Sequence, residues 1–245
     1  MPRLRVLLAC LLLIPPCAWP QGELRFITAT NHAPPLVLFE AGELKGGLLV
    51  ETEDALARRL GLQARHIPLP SLRVAPALRN GHADLLCHSR PQWVDGEFRW
   101  SRPLFDNAEV LAARGDAPAL HQLTELRGKP VGIVRGYRYP AVERQLGDEV
   151  LRLEANDMRA NLDKLLAGRM PYAFTDRITL REWQRRHPAA GLREELVLEN
   201  YRSACALSPQ SFLSLQEVDA ALVADHGADP GPGLSGHFAM VQKHK

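Results

Sequence analysis

The feature that most constrains this chain is a unit that occurs twice. Residues 78–90 read LRNGHADLLCHSR and residues 165–177 read LLAGRMPYAFTDR. Each begins as the end of a helix, stops at a glycine (Gly81, Gly168) and continues in a short apolar run, Asp84-Leu85-Leu86-Cys87 or Tyr172-Ala173-Phe174. Glycine just past a helix end supplies a left-handed C-cap, and a short apolar run bounded by turn signals reads as a buried strand. After each run the chain turns polar, at His88-Ser89-Arg90 and at Thr175-Asp176-Arg177. In open α/β sheets ligands sit outside the carboxyl ends of the strands. Two such units can therefore present two polar jaws to one cleft, and two similar α/β lobes with a ligand between them are expected.

The rest of the chain fits around that pair. Residues 24–30 predict a first strand, ending in the loop Asn31-His32-Ala33-Pro34-Pro35. After Gly46-Gly47 comes a helix with Leu49, Leu56 and Leu60 on one face, Glu51, Glu53 and Asp54 early, Arg58 and Arg59 late, and Gly61 past its end. That charge order suits the helix dipole. A strand at 63–67, a helix at 71–79 carrying Pro76 and a strand at 84–87 complete a β-α-β-α-β pattern, which implies a parallel sheet. Residues 100–104 and 109–113 lead to a boundary at 114–118, where Gly, Asp and Pro cluster. A second, smaller unit follows: a strand at 130–134, a helix from Pro140, a strand at 150–153, and a strand at 172–175. Between the last two lies a helix capped by Asn156 or Asp157, with Met158, Leu162, Leu165 and Leu166 as its apolar face. Residues 179–187 are helical and charged, 196–198 continue toward a return crossing and 204–208 form another strand. Ser214-Leu215-Gln216-Glu217 is a capping box opening a helix at 215–224. Residues 225–245, rich in Gly and Pro, read as irregular.

The 245 residues suffice for two small lobes, and a net charge of +2 with arginines spread along the chain points to no nucleic-acid partner. Residues 1–20 read as a cleaved signal peptide: Arg3 and Arg5, an apolar run at 6–14 too short to span a bilayer, the Pro15-Pro16 break and a small-residue site near Ala18. Export to the periplasm is expected. A lipoprotein reading through Cys10 or Cys17 is weaker, because Pro15 and Pro16 stand where small residues are wanted and Cys10 lies close to the start. Removing the leader leaves Cys87 and Cys205 where disulfides persist. They are either two small buried hydrophobes or a single bridge. There is no nucleophile elbow, His-Glu-x-x-His, phosphate loop or Cys-x-x-Cys, and the nine histidines are scattered. No catalytic residue, metal or cofactor is expected.

Six pieces then fall in a telling order: residues 24–29 after the leader; Gly47, Val50 and Glu51 before 55–61; Ala77-Leu78-Arg79-Asn80-Gly81 leading to Asp84; Trp100-Ser101-Arg102-Pro103-Leu104; Leu126-Arg127-Gly128-Lys129-Pro130-Val131-Gly132; and 165–176. Together they resemble the periplasmic solute-binding proteins of family 3, the amino-acid-binding component of ABC transporters. The resemblance implies an α/β, two-lobed type II periplasmic binding protein fold, each lobe a mainly parallel sheet flanked by helices, with two hinge crossings. Lobe 1 would comprise 21–114 and 201–245, lobe 2 residues 115–200. It also places Cys205 beside Cys87, which favours the bridge.

Site residues carry over less evenly. His32 stands where the family has a stacking Tyr or Phe, and Asp176 where it has the ammonium-binding Asp. The family's carboxylate-gripping Arg position falls near Val94, so Arg90, earlier on the same loop, substitutes as an anion clamp. Ser89, His88 and Trp93 would wall the cleft. Tyr137-Arg138 replace a small Ser or Thr, with backbone N–H groups at a helix start able to hold an anion. Pro171 replaces another family Asp. The function implied is capture of a small polar or zwitterionic, amino-acid-like solute, including one with more than one anionic group, by a monomer serving an inner-membrane ABC permease. The alternatives are an exported sensor acting through a membrane partner and, third, a dehydratase-like periplasmic enzyme on the same fold.

Overall fold

A computed structural model describes residues 22–223; the expected leader at 1–20 and the irregular tail at 225–245 lie outside the described residues. The first half runs β1 (Glu23–Ala29), β2 (Leu38–Glu40), β3 (Glu43–Gly46), α1 (Leu48–Arg59), β4 (Gln63–Leu69), α2 (Ser71–Arg79), β5 (Leu85–Ser89), β6 (Arg99–Trp100) and β7 (Phe105–Ala113). The second runs β8 (Pro130–Val134), α3 (Pro140–Leu146), β9 (Leu151–Ala155), α4 (Met158–Leu166), β10 (Tyr172–Asp176), α5 (Arg177–Arg186), β11 (Arg193–Leu207) and α6 (Leu215–Val223).

The glycines of the repeated unit end α2 and α4 identically. Gly81 and Gly168 have φ of +69° and +71°. Gly81 N–H donates to Leu78 O at 3.2 Å and His82 N–H to Ala77 O at 3.0 Å, while Gly168 donates to Leu165 O at 3.1 Å and Arg169 to Lys164 O at 3.0 Å. Both are Schellman endings, which need a residue free to adopt positive φ. Of the two candidate caps for α4, Asp157 is the one used: it accepts the Ala160 N–H at 2.8 Å. Ser214 and Glu217 form the capping box, each accepting the other's backbone N–H.

Among the described residues nine strands form one continuous sheet, in the order β4-β1-β5-β11-β7-β10-β8-β9, with β6 also pairing β11. The outer trios β4-β1-β5 and β10-β8-β9 are parallel, as expected. The middle is antiparallel: β7 pairs β11 from Phe105↔Ser203 to Ala113↔Arg193, β7 pairs β10, and β11 pairs β5. The two crossings are thus themselves strands. The sequence reading divided β11 into a crossing and a separate strand because register shifts at Glu194/Leu196 and Val197/Glu199 break its alternation. It also missed the β2–β3 hairpin, whose turn uses Ala41 and Gly42, both at positive φ, in place of the usual Asn-Gly.

Apolar clusters cover both faces of each parallel trio. Asp84, wholly buried, accepts from Arg25 backbone N at 3.0 Å, Nε at 2.9 Å and Nη2 at 2.9 Å, fastening β1 to the entry of β5. Cys87 on β5 and Cys205 on β11 are bridged across 118 residues of sequence. The bridge, not the pair of free thiols, is the arrangement present. Because it closes so long a loop in the unfolded chain, Cys87→Ala/Cys205→Ala is expected to lose about 2–5 kcal/mol of stability in urea titration against the oxidised protein.

Glu53 of α1 is buried, 1% exposed and 3.0 Å from His66 Nδ1 on β4, while His66 Nε2 meets Asp54 at 2.9 Å. Burial pushes the Glu53 carboxyl up to about 7 against the pull of His66. Burial lowers the His66 imidazole, but its bonds to Glu53 and Asp54 outweigh this and raise it. Both groups therefore hold protons in the folded state that the unfolded chain has released, so stability falls as pH rises above the ordinary glutamate value of 4.5 toward and beyond about 7. Glu53→Gln should flatten that decline, by up to about 1.4 kcal/mol per pH unit, in urea midpoints measured from about pH 5 to 8.

Candidate functional site

The polar residues expected at strand ends converge as that topology requires. The loop after β1 brings His32, the end of β5 brings His88 and Ser89, the turn after it Trp93, the loop after β8 Tyr137 and Arg138, and the end of β10 Asp176. All seven line one cleft, together with Glu109, Tyr139 and Tyr201, which the sequence reading did not single out. Residues of the two halves meet across it. His32 Nδ1 is joined to the Tyr137 hydroxyl at 2.8 Å, and Arg138 pairs with Asp95 at 2.5 Å. Met158 N–H donates to Asn31 O at 2.9 Å, and Asn31 Nδ2 donates to Asn156 O at 2.6 Å.

His88 has φ of +52°, an unusual backbone conformation for a non-glycine residue, opposite the register shift between Ala204 and Ala206 of β11. Its ring lies 5.6 Å from that of His32, 6.4 Å from Trp93 and 6.3 Å from Tyr201, and its Nδ1 is 3.1 Å from Ser203 Oγ. Burial lowers the His88 imidazole, against the pull of Asp176. Burial, and then His88, push His32 down to about 3. The two imidazoles are neutral near pH 7 and act as ring walls and hydrogen-bonding groups.

The expected charges are placed differently from their expected roles. Asp176 reaches the cleft but also caps α5: Oδ1 accepts from Thr179 N at 2.9 Å and Asn107 Nδ2 at 3.1 Å, and Oδ2 from Thr179 Oγ1 at 2.7 Å. Arg90 does not line the cleft. Its guanidinium lies 5.3 Å from the Trp93 ring and 5.2 Å from the Tyr201 ring, and Nη2 is bonded to Glu199 at 2.6 Å. Arg90, expected as an anion clamp, is 9% exposed and ion-paired with Glu199. Arg138 stands at the rim with its charge met by Asp95. Val94, at the family's Arg position, is core. Both arginines are met by this chain's own carboxylates, Glu199 and Asp95.

Glu109 is the residue the sequence reading missed. It lies on β7 in register with Asp176 of β10 and Glu199 of β11. It is 6% exposed and neither carboxyl oxygen has a partner. Burial, reinforced by Glu199 and opposed by Arg90, pushes its carboxyl up to about 7. The signal was present as a lone acid in the apolar strand run Ala108-Glu109-Val110-Leu111-Ala112-Ala113, since Glu is almost never fully buried unless paired. Among the described residues no group of three or more His, Cys, Asp or Glu could hold a metal ion.

No family model and no curated protein matches this chain. Solved structures do. It is similar to an ancestral arginine-binding protein bound to arginine, at 20% identity and a TM-score of 0.70 over 86% of this chain and 95% of that one. It is similar to the GluR0 ligand binding core in complex with L-glutamate, at 19% identity and 0.69 over 84% and 92%. The substrate binding protein of an amino acid ABC transporter matches at 18% identity and 0.66 over 82% and 92%. The fold is the two-lobed type II fold of these binding proteins, as the sequence resemblance implied.

The ion pair behind the cleft and the one at its rim should respond differently to mutation. Glu199→Gln leaves the Arg90 charge buried, and is expected to lower stability by about 2 kcal/mol in urea titration. Asp95→Asn, at the exposed Arg138 pair, should change it by less than about 1 kcal/mol.

Proposed function

We propose that this chain is an exported solute-binding protein, which captures a small polar or zwitterionic, amino-acid-like solute between two lobes and delivers it to an inner-membrane ABC permease. The observation that carries the reading is that one cleft is walled from both halves, by His32, His88 and Trp93 on one side and Tyr137, Arg138 and Asp176 on the other. A solute held there touches both walls at once, so it favours the closed arrangement by its differential affinity for it. The lobes are 21–114 with 201–245, and 115–200. His32, His88, Ser89, Trp93, Tyr137, Arg138 and Asp176 serve as the ligand-facing set.

The likeness to the substrate binding protein of an amino acid ABC transporter supports the transport role. The Cys87–Cys205 bridge suits an oxidising compartment, and residues 1–20 supply the export signal, cleaved near Ala18. No helix among the described residues is long and apolar enough to cross a membrane. A sensor role is the second reading, because the GluR0 ligand binding core has the same fold.

The test is a thermal-shift panel of amino acids, opines, dicarboxylates, polyamines and small peptides on the mature monomer. A solute at a hundred times its Kd adds about 2.7 kcal/mol, or about 5–10 °C in Tm for a domain of this size. A folded protein whose Tm none of these moves would overturn the reading.

A further inference from the structure

On the wall of this cleft both oxygens of Glu109 and Trp93 Nε1 are buried with no hydrogen-bond partner among the described residues, and so is Arg90 Nη1 behind it. Buried polar groups in folded proteins are nearly always satisfied, and both oxygens of one carboxylate left bare is a marked exception. Glu109 is nine-tenths buried and forms part of the cleft wall.

The charges around it leave a negative surplus. The groups that act on Glu109 are Glu199 of β11, Arg90 from the turn after β5, and Glu143 and Arg144 of α3, with Asp176 of β10 beside it in register. The hydroxyls of Tyr139 and Tyr201 feel its charge too. Arg90 is bonded to Glu199, which cancels that pair, and Asp176 is turned to the start of α5. Among the described residues no cation bonds Glu109. The surrounding wall is aromatic, with Trp93, Tyr137 and Tyr201 presenting rings that attract positive charge.

We propose that Glu109 is the ligand-gripping carboxylate of the cleft, and that the solute it selects carries a terminal ammonium or guanidinium group, distinct from an α-amino group. The proposal rests on the reading of the cleft as a solute site and specifies what enters it. A buried carboxylate with two free acceptor oxygens gains charge-assisted hydrogen bonds from such a group, which a neutral amide of the same shape supplies less strongly. Without a cation, burial and Glu199 hold the carboxyl up at about 7, so it is mostly protonated at about pH 6. Seating the cation favours the carboxylate, so the carboxyl proton leaves to buffer as the ion pair forms.

The experiment is isothermal titration of the mature chain and its Glu109→Gln variant with two matched sets: L-arginine against L-citrulline, and cadaverine against glutarate. Arginine or cadaverine should bind at least about tenfold more tightly than the counterpart whose terminal group is neutral, citrulline, or anionic, glutarate. At about pH 6, in two buffers of different ionisation enthalpy, the wild-type protein should release a proton on binding. Glu109→Gln should weaken the cation about tenfold or more, abolish the proton release and leave citrulline affinity within about twofold. The proton release is read on the wild type, so it stands even where the variant fails to fold. Equal affinity for cation and counterpart, glutarate preferred to cadaverine, or cation affinity retained in Glu109→Gln would overturn the proposal and leave the solute-binding reading intact. If none of the four binds but another solute in the wider thermal-shift panel does, the proposal alone falls; if nothing binds, both fall.

Discussion

The antiparallel pairing of β7 with β11 carries both halves of the molecule. The parallel trio of the first half joins the sheet through β5 on β11, and that of the second through β10 on β7. Each crossing strand thus serves as a sheet edge for the half it joins, and the exposed edges that two separate small sheets would present to each other are paired instead. The same ladder sets the chemistry of the cleft. Because opposed residues in an antiparallel pair share a face, the register that aligns Asp176, Glu109 and Glu199 lines up three carboxylates on neighbouring strands.

Three acids so aligned repel one another, and the protein answers each in a different way. Glu199 receives a guanidinium, Asp176 receives the N-terminal groups of α5, and Glu109 has its carboxyl pushed up to about 7. Desolvation makes these answers unequal: an ion pair or a helix start stabilises the charged form, while protonation removes the charge altogether. The neighbouring His32 and His88 follow the same logic with the opposite sign, since burial keeps them neutral by denying them a proton. A cleft assembled this way has low net charge when empty despite its many ionisable groups.

Most of the architecture was legible in the residues. Helix ends at Gly81 and Gly168, the caps at Asp157 and Ser214, and the parallel trios follow from local rules that need no long-range information. What escaped depends on contacts between distant residues. The crossing strand β11 looked like two pieces because its register shifts upset the alternation, and Arg90 looked like a free clamp because Glu199 lies 109 residues away in sequence. The cleft's location was legible because strand ends define it, while the assignment of its charges was not, because a carboxylate and a guanidinium cancel only when the fold brings them together. Glu53 and Glu109 are acids whose burial depends on what packs against them from distant parts of the chain, which their local sequence does not show.

The ribbon that joins the halves is only two strands wide from Phe105 to Ala108 of β7 and Asn200 to Ser203 of β11, between the rungs β7 shares with β10 and those β11 shares with β5, and this has a mechanical consequence. A two-stranded ribbon has fewer hydrogen bonds resisting torsion than a sheet braced on both sides, and it twists more strongly. Torsion between the halves therefore falls on residues 200–203 and their partners, while the wider sheet on either side resists it. Glu199 borders that stretch, so the torsion that would swing one half against the other also turns the carboxylate holding Arg90. The pivot and the electrostatic lining of the cleft are thereby geared to a single degree of freedom.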